Sequence, residues 1–460
     1  MPNPVRFLTP ALSALAVLLA APKLVAQPTP SRPNILVVVA DDWGWGHAGA
    51  LGDPLVKTPT FDQLAKDGVI FQRAYCASPS CTASRASLLT GQMFYRLEEA
   101  SVLHGPLRKE FPVYPEILES AGYAIGLAGK GLGPGDFKAG GRDRNPAGPA
   151  VESFEKFLDS KSADQPFCFW FGSNNPHRPY NQKPLKGTID PAKVPVPAYL
   201  PDAPEVREDL ADYYAEVQAF DSEVGRLLEI LKQRNLLNNT LVVVTSDNGI
   251  PFPRGKLNLY DSGVRMPTVV SWPAVVPVGR VVEDFASQTD FAPTFLEAAG
   301  LPIPKEMTGR SLLEVLKSKK SGLVDASRTF VVTGRERHGG NYYPSRAIST
   351  KDYVYIRNCH PDESPKAGDP GPTVEYFSRM EADPSMKSFN RLFRELRPAE
   401  ELYVNASDPD QLTNVAGEPA YAVAKKELAA QLDAYLLETK DPRATGQRNK
   451  FDELPDFGKR

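Results

Sequence analysis

Residues 34–46 read NILVVVADDWGWG, an apolar run from Ile35 to Ala40 that stops abruptly at Asp41 and Asp42. The run is apolar at every position rather than every second one. It therefore predicts a strand covered on both faces, as parallel strands are in α/β sheets. Five further runs share this character: AIGLA (124–128), PFCFWFG (166–172), TLVVVTS (240–246), PTVVSWP (267–273) and TFVVT (329–333). Helical patterns fall between them. TFDQLAKDGVIF (60–71) starts at Thr60, a residue suited to a helix cap. Residues 207–235 keep Leu210, Tyr214, Val217, Val224, Leu227, Leu228 and Leu231 on one side of a long helix. DFAPTFLEAAGL (290–301) stops at Gly300, placed as a C′ glycine. The alternation predicts an α/β fold: a doubly wound sheet flanked by helices, with ligands at the carboxyl ends of its strands.

Beyond about residue 345 the pattern changes. SRAISTKDYVYIRN (345–358) alternates like a half-solvated strand, ELYV (401–404) gives a short one, and a helix is expected over about 419–438. The expected division is a domain at 27–345 and a smaller C-terminal α+β subdomain at 346–460. Residues 1–26 read as a secretory signal peptide: Arg6, a mostly apolar stretch from Ala11 to Ala21, then Leu24-Val25-Ala26 as the cleavage site. An uncleaved amino-terminal anchor is the plainer alternative. No later segment is apolar enough to cross a bilayer. The expectation is an exported chain, periplasmic or secreted, with no membrane span once cleaved.

The 460 residues are 42% apolar and 24% charged, ordinary values for a globular protein with a sizeable core. A formal net charge of −3 leaves no broad basic surface, which argues against nucleic acid or anionic membrane as partners. The 44 prolines form no low-complexity run and point to long ordered loops. Cys76, Cys81, Cys168 and Cys359 follow no zinc-binding spacing, and a domain this large needs no disulfide framework. One disulfide stays open.

Asp41 and Asp42 follow the first strand, and Asp247 and Asn248 follow TLVVVTS in the same way. Either pair alone suits a turn or a helix cap. Together they offer three carboxylates and an amide, a shell for one hard divalent cation such as Ca²⁺. No imidazole or thiolate is there to favour zinc or copper. Cys81 lies at the mouth of a short helix in CTASRASLLTG (81–91). On its own it reads as a small buried residue, a disulfide partner, a nucleophile, a metal ligand or the precursor of another group. Arg85 alone reads as a solvated helix arginine.

CTASRASLLTG is similar to the C-x-[PA]-x-R-x-x-x-L-T-G signature of the type I sulfatases. The resemblance implies an alkaline-phosphatase-like mixed sheet and conversion of Cys81 to formylglycine (3-oxoalanine) by a maturase during export. The hydrated aldehyde would offer one hydroxyl to bind Ca²⁺ and attack sulfur, and a second to expel sulfate. Arg85 would hold the modified side chain, and backbone N–H groups at the helix mouth would lie near the anion. RPNILVVVADDWGWG resembles the family's first metal-binding stretch, and SDNGIPFPRGKLNLYDSGVRMP its second, with Lys256 as a sulfate contact. GYAIGLAGKG brings a sulfate-binding lysine, Lys130, and NPHRP an active-site histidine, His177, as sulfate ligand or leaving-group acid. Fixed cations and a nearby proton donor are what sulfate transfer needs. QTDFAPTFLEAAG and ELYVNASDPDQLTNVA resemble structural signatures of the family. SDNGIPFP, NLYDSG and residues 199–221 look most like its heparan N-sulfatase (sulfamidase) branch and that branch's bacterial relatives.

Two departures stand out. The family commonly carries G-K-x-H, but this chain has Gly129-Lys130-Gly131-Leu132. Leucine exchanges no proton; His104 in VLHGP is a substitute, or else a structural loop histidine. Lys256 replaces an arginine found in part of the sulfamidase branch. GRERHGGNYYPSR (334–346) gathers Arg335, Arg337, His338 and Arg346 beside two tyrosines, either to grip an acidic sugar or as a solvated connection. Asn238 and Asn405 begin N-x-[ST] sequons and are assigned no function.

Three functions follow from residues and resemblance together. The first is a calcium-dependent sulfatase that acts on a sulfated oligo- or polysaccharide, breaking an S–O bond or, in a sulfamate, an S–N bond. The second is a phosphomonoester or phosphonate hydrolase on the same scaffold. The third, prompted by Leu132, is a catalytically silent carbohydrate-binding relative.

Overall fold

The strand of NILVVVADDWGWG lies inside the main sheet, between two parallel neighbours. This strand, β1 (Asn34–Ala40), is followed along the chain by β2 (Val69–Phe71), β3 (Ala74–Tyr75), β4 (Ala124–Gly129) and β5 (Phe167–Gly172). Then come β6 (Thr240–Ser246), β7 (Val269–Ser271), β8 (Arg280–Val282) and β9 (Ala286–Ser287). Seven of these strands form one sheet in the order β4-β5-β1-β6-β7-β2-β8, while β3 and β9 pair separately. The computed structural model describes residues 1–4, 32–180, 186–361, 369–447 and 450–459, so the expected signal peptide lies outside them beyond its first four residues. No helix of the described residues is long and apolar enough to cross a membrane.

β4, β5, β1 and β6 run parallel, and every residue of β1 and β6 is buried. Helices on both faces explain the unbroken apolar run. Ile35, Val37 and Val39 enter one core with Leu88, Leu118 and Phe295; Leu36 and Val38 enter another with Phe157, Val217, Phe220 and Val224. The long helix Pro204–Gln233 buries six of its seven expected positions and leaves Leu228 half-buried. Gly300 takes φ +71° and donates its N–H to Glu297 O at 2.9 Å, as a C′ glycine does.

Several expectations need correction. PTVVSWP forms β7, which is antiparallel rather than parallel to both β6 and β2, giving the mixed sheet that the resemblance implies. TFVVT does not join it. It forms β10 (Phe330–Arg335), the edge of a second sheet completed by β11 (Ser345–Thr350), β12 (Tyr353–Asn358) and β13 (Glu400–Val404), all antiparallel. This sheet is also covered twice, by Leu428, Leu432 and Leu436 on one face and by Leu259, Tyr260 and Val264 on the other. Double cover, not parallel pairing, makes β10 continuously apolar. The expected 345/346 boundary lies within β11, after its first residue. SRAISTKDYVYIRN is a hairpin of two strands rather than one. Thr60 is no cap: the helix Pro59–Lys66 follows Thr58, and Asp221 accepts the N–H of Thr60 at 3.0 Å. The terminal helix spans Ala422–Glu438. All four cysteines are free thiols.

Candidate active site

β1 and β6 are in register to their last residues, Ala40 opposite Ser246, so both oxygen-rich pairs leave the sheet at one edge. Asp247 N–H donates to Ala40 O at 3.1 Å, Asp42 N–H to Asp247 Oδ1 at 3.1 Å, and Asn248 Nδ2 to Asp42 Oδ1 at 2.7 Å. Asp42 holds φ +76°, a strained backbone for a residue with a side chain. None of the four is more than 2% exposed.

Cys81 is the first residue of the helix Cys81–Thr90, which is buried along its whole length. Its Sγ stands 3.7 Å from Asp41 Oδ1 and 3.8 Å from Asn248 Oδ1. Ser84 Oγ donates to Gln288 Oε1 at 2.6 Å and to Asp247 O. Arg85, one turn after Cys81, donates from Nε to Asp247 Oδ2 at 2.8 Å and from Nη1 to Lys130 O at 2.9 Å. Lys130 follows β4 where two backbones nearly touch: a Cβ on Gly172 would lie 1.7 Å from Lys130 O, so glycine is required there. Lys130 Nζ reaches Asp41 Oδ2 at 2.5 Å, and Lys256 Nζ lies 2.9 Å from Asp42 Oδ2. His177 donates from Nδ1 to Arg178 O at 2.5 Å, which turns Nε2 to within 3.8 Å of Asp42 Oδ2.

Burial sets the ionisation of this cluster. It pushes the Cys81 thiol well above its usual range, against the pull of Lys130 and Lys256, so the sulfur keeps its proton. Burial also raises Asp41, but Lys130 and Arg85 outweigh it and hold that carboxylate well below its usual range. Asp247 is pushed up to about 6 by burial, with Arg85 opposing and Asp41 adding. Burial works against the charge of Lys256, yet Asp42 and Asp369 keep it firmly protonated.

Above Cys81 lies a cavity of about 420 Å³ bordered by His104, Lys130, His177, Lys256, His338 and Asp369. The sequence-predicted Asp41, Asp42, Asp247, Asn248, Cys81, Arg85, Lys130, His177 and Lys256 thus come together. So do His104 and His338, whose Nδ1 lies 2.8 Å from Ser80 Oγ. Leu132 is fully buried in the core. The arginines expected to grip substrate need correction. Arg335 and Arg346 are each 2% exposed. Arg335 lies over the Tyr343 ring at 3.5 Å and donates to Leu257 O. Arg346 is held by Asp441 (2.6 Å) and Glu336 (2.7 Å). Arg337 stacks on Tyr342 at 4.9 Å and is not among the residues that line the cavity. Sequence reasoning misses Asp369 and Arg178, which also border the cavity. Asp369 sits in the turn sequence DPGP, where no periodic signal marks it.

The "Sulfatase" family model matches residues 33–140 and 149–301, and the "N-sulphoglucosamine sulphohydrolase, C-terminal" model matches 255–361. Human N-sulphoglucosamine sulphohydrolase is 30% identical over 90% of this chain and 91% of its own length. An ulvan-active sulfatase of Formosa agariphila is 29% identical over 88% of this chain and 80% of its own. A protein solved with its substrate D-glucosamine-2-N,6-O-disulfate superposes with a TM-score of 0.70 at 21% identity, over 92% of this chain and 100% of that one. That likeness speaks for the fold. A chain matched over most of its length by the family, with the family's signature cysteine seated among buried carboxylates, is a sulfuric ester hydrolase and belongs to the type I sulfatases, near their N-sulphoglucosamine sulphohydrolase branch.

Proposed function

We propose that this chain is an exported sulfatase that removes sulfate, as O-sulfate or N-sulfamate, from a sulfated carbohydrate, using formylglycine at position 81 beside one bound Ca²⁺. The observation that carries the reading is the seat of Cys81: its Sγ lies within 3.8 Å of Asp41 and Asn248, below a cavity walled by two lysines and His177. A buried thiol that keeps its proton is a weak nucleophile and a poor ligand for a hard cation. Its oxidation to an aldehyde hydrate would put oxygen in that place.

The donor set fits Ca²⁺: carboxylate oxygens of Asp41, Asp42 and Asp247 and the amide oxygen of Asn248, with no nitrogen ligand among them. Charge supports the fit. Asp41, Asp42, Asp247 and Asp369 carry four negative charges, and Arg85, Lys130 and Lys256 carry three positive ones. A singly charged sulfate ester would deepen the deficit; a divalent cation cancels both. When bound, the ion supplies Lewis-acid polarisation of a sulfate oxygen.

The chain's own groups do the remaining work. Lys130 and Lys256 hold sulfate oxygens. His177, with Nδ1 donated to Arg178 O, presents Nε2 to the leaving atom and protonates it as the bond to sulfur breaks. Arg85 braces Asp247 and the Lys130 carbonyl. With Leu132 buried, the second proton transfer falls in this reading to His104, which borders the cavity. The carbohydrate class is supported by the two named relatives, and export by the amino-terminal pattern. The test is sulfate release from defined sulfated glycosaminoglycan and algal oligosaccharides by protein made with a maturase, together with the mass of the peptide containing residue 81. We expect formylglycine and turnover in the native protein, and neither in Cys81→Ala. Turnover by Cys81→Ala, or a cysteine mass in active enzyme, would refute the mechanism.

A further inference from the structure

Lys256 is shared by two carboxylates. Its Nζ lies 2.9 Å from Asp42 Oδ2, on the floor of the site, and 2.9 Å from Asp369 Oδ2, on the cavity wall. Asp369 is 17% exposed and borders the cavity with Cys81, Lys130, His177 and His338. One ligating atom each of Asp42, His177 and Asp369 fall within 4.8 Å of one another. The carboxylate thus stands beside the His177 imidazole as well as beside Asp42.

This placement is built in. Arg178, the residue after His177, grips Asp209 through both terminal nitrogens, at 2.6 and 2.8 Å. Asp209 Oδ2 in turn accepts the N–H of Thr373 at 3.1 Å and its hydroxyl at 2.6 Å. Between these points Gly371 lies against the guanidinium, where a Cβ would come within 2.6 Å of Arg178 Nη1. The segment from Asp369 to Thr373 is therefore latched to the segment that carries His177.

A fixed carboxylate in a pocket for an anion repels it unless the rest of the ligand compensates. When a sulfate oxygen draws Lys256 towards itself, Asp369 loses part of its 2.9 Å ion pair and needs another donor. We propose that Asp369 is a specificity-determining residue. It accepts a hydrogen bond from a free hydroxyl or amine on the sugar, next to the sulfated position, and rejects a second sulfate or a carboxylate there. This rests on the sulfatase reading above.

The experiment measures binding, so that no turnover is required. Calcium-loaded Cys81→Ala protein, with Asp369 native or as Asp369→Asn, is titrated calorimetrically with two pairs of ligands. These are glucosamine N-sulfate against its N,3-disulfate, and glucose 6-sulfate against its 4,6-disulfate. Native Asp369 is expected to favour the monosulfated member of at least one pair by about tenfold, and Asp369→Asn to cut that to about threefold or less. Equal preference in the two proteins, or none in either, overturns the proposal. So does an equal loss of aryl sulfate turnover and sugar sulfate turnover in Asp369→Asn on the Cys81 background, because the aryl ligand has no sugar hydroxyl and the residue would then act only through Lys256. Sulfate release from the aryl sulfate by the native enzyme tests the underlying reading separately; its absence with formylglycine present overturns that reading whatever the binding ratio.

Discussion

Arg85 and Asp247 form a fully buried ion pair, Nε to Oδ2 at 2.8 Å, that ties the helix of Cys81 to the end of β6. The same guanidinium has its Nη2 3.7 Å from Asp41 Oδ1, at the end of β1. One side chain thus spans both halves of the acidic floor.

Removing it leaves two buried carboxylates short of a partner. Arg85→Ala should cost about 3–5 kcal/mol of stability in calcium-free protein, measured by denaturant unfolding. Arg85→Lys should fold better but lose most turnover, because a point charge cannot reach Asp247 and the Lys130 carbonyl together. A fully active Arg85→Lys enzyme would count against the bracing role.

Calcium should stabilise as well as activate. A ligand held only by the folded state adds about 2.7 kcal/mol at a hundred times its Kd. Chelation should therefore lower the melting temperature and abolish sulfate release, and added Ca²⁺ should restore both. Asp247→Asn should weaken that response. Melting curves identical with chelator and with Ca²⁺ would speak against an ion at this site.

Arg346 serves the fold and not the substrate. Its pairs with Asp441 and Glu336 are buried, and Arg346→Ala should cost about 3–5 kcal/mol. The folded fraction should keep the native KM. A raised KM at unchanged stability would return Arg346 to the substrate-binding set.

Acid should reveal His47. Burial holds this imidazole down at about 4, against the opposing pull of Asp53. Its folded value lies below its unfolded value of 6.5, so the stability it contributes is full above pH 6.5 and is lost as pH falls through about 4. Discounted for partial exposure, the loss is about 1–2 kcal/mol. Unfolding free energies at pH 7 and pH 4.5 should differ less in His47→Gln than in the native protein.

The strands β1 and β6 are legible because each residue is buried on one face or the other, which leaves a run with no polar position. The same run carries no information about direction. β7 is only three residues long and reads alike whether it pairs parallel or antiparallel. β10 is apolar because two unrelated layers cover it, and that depends on Leu259 and Leu432, far away in the chain. At the site, the strand-end pairs are legible because the chemistry sits beside its own scaffold. Asp369 is not, since a contact chain through Thr373, Asp209 and Arg178 brings it there. Arginines among tyrosines look the same in sequence whether they face water or the interior. For Arg346 the deciding partner is Asp441, 95 residues downstream.

The latch through Arg178, Asp209 and Thr373 separates two kinds of change in this molecule. The acidic floor hangs from strand ends, whereas the Asp369 turn is pinned at one side by a few hydrogen bonds. If Asp369 meets the sugar as proposed, redrafting that turn alone changes which sugar fits, while the strand ends keep the acidic floor.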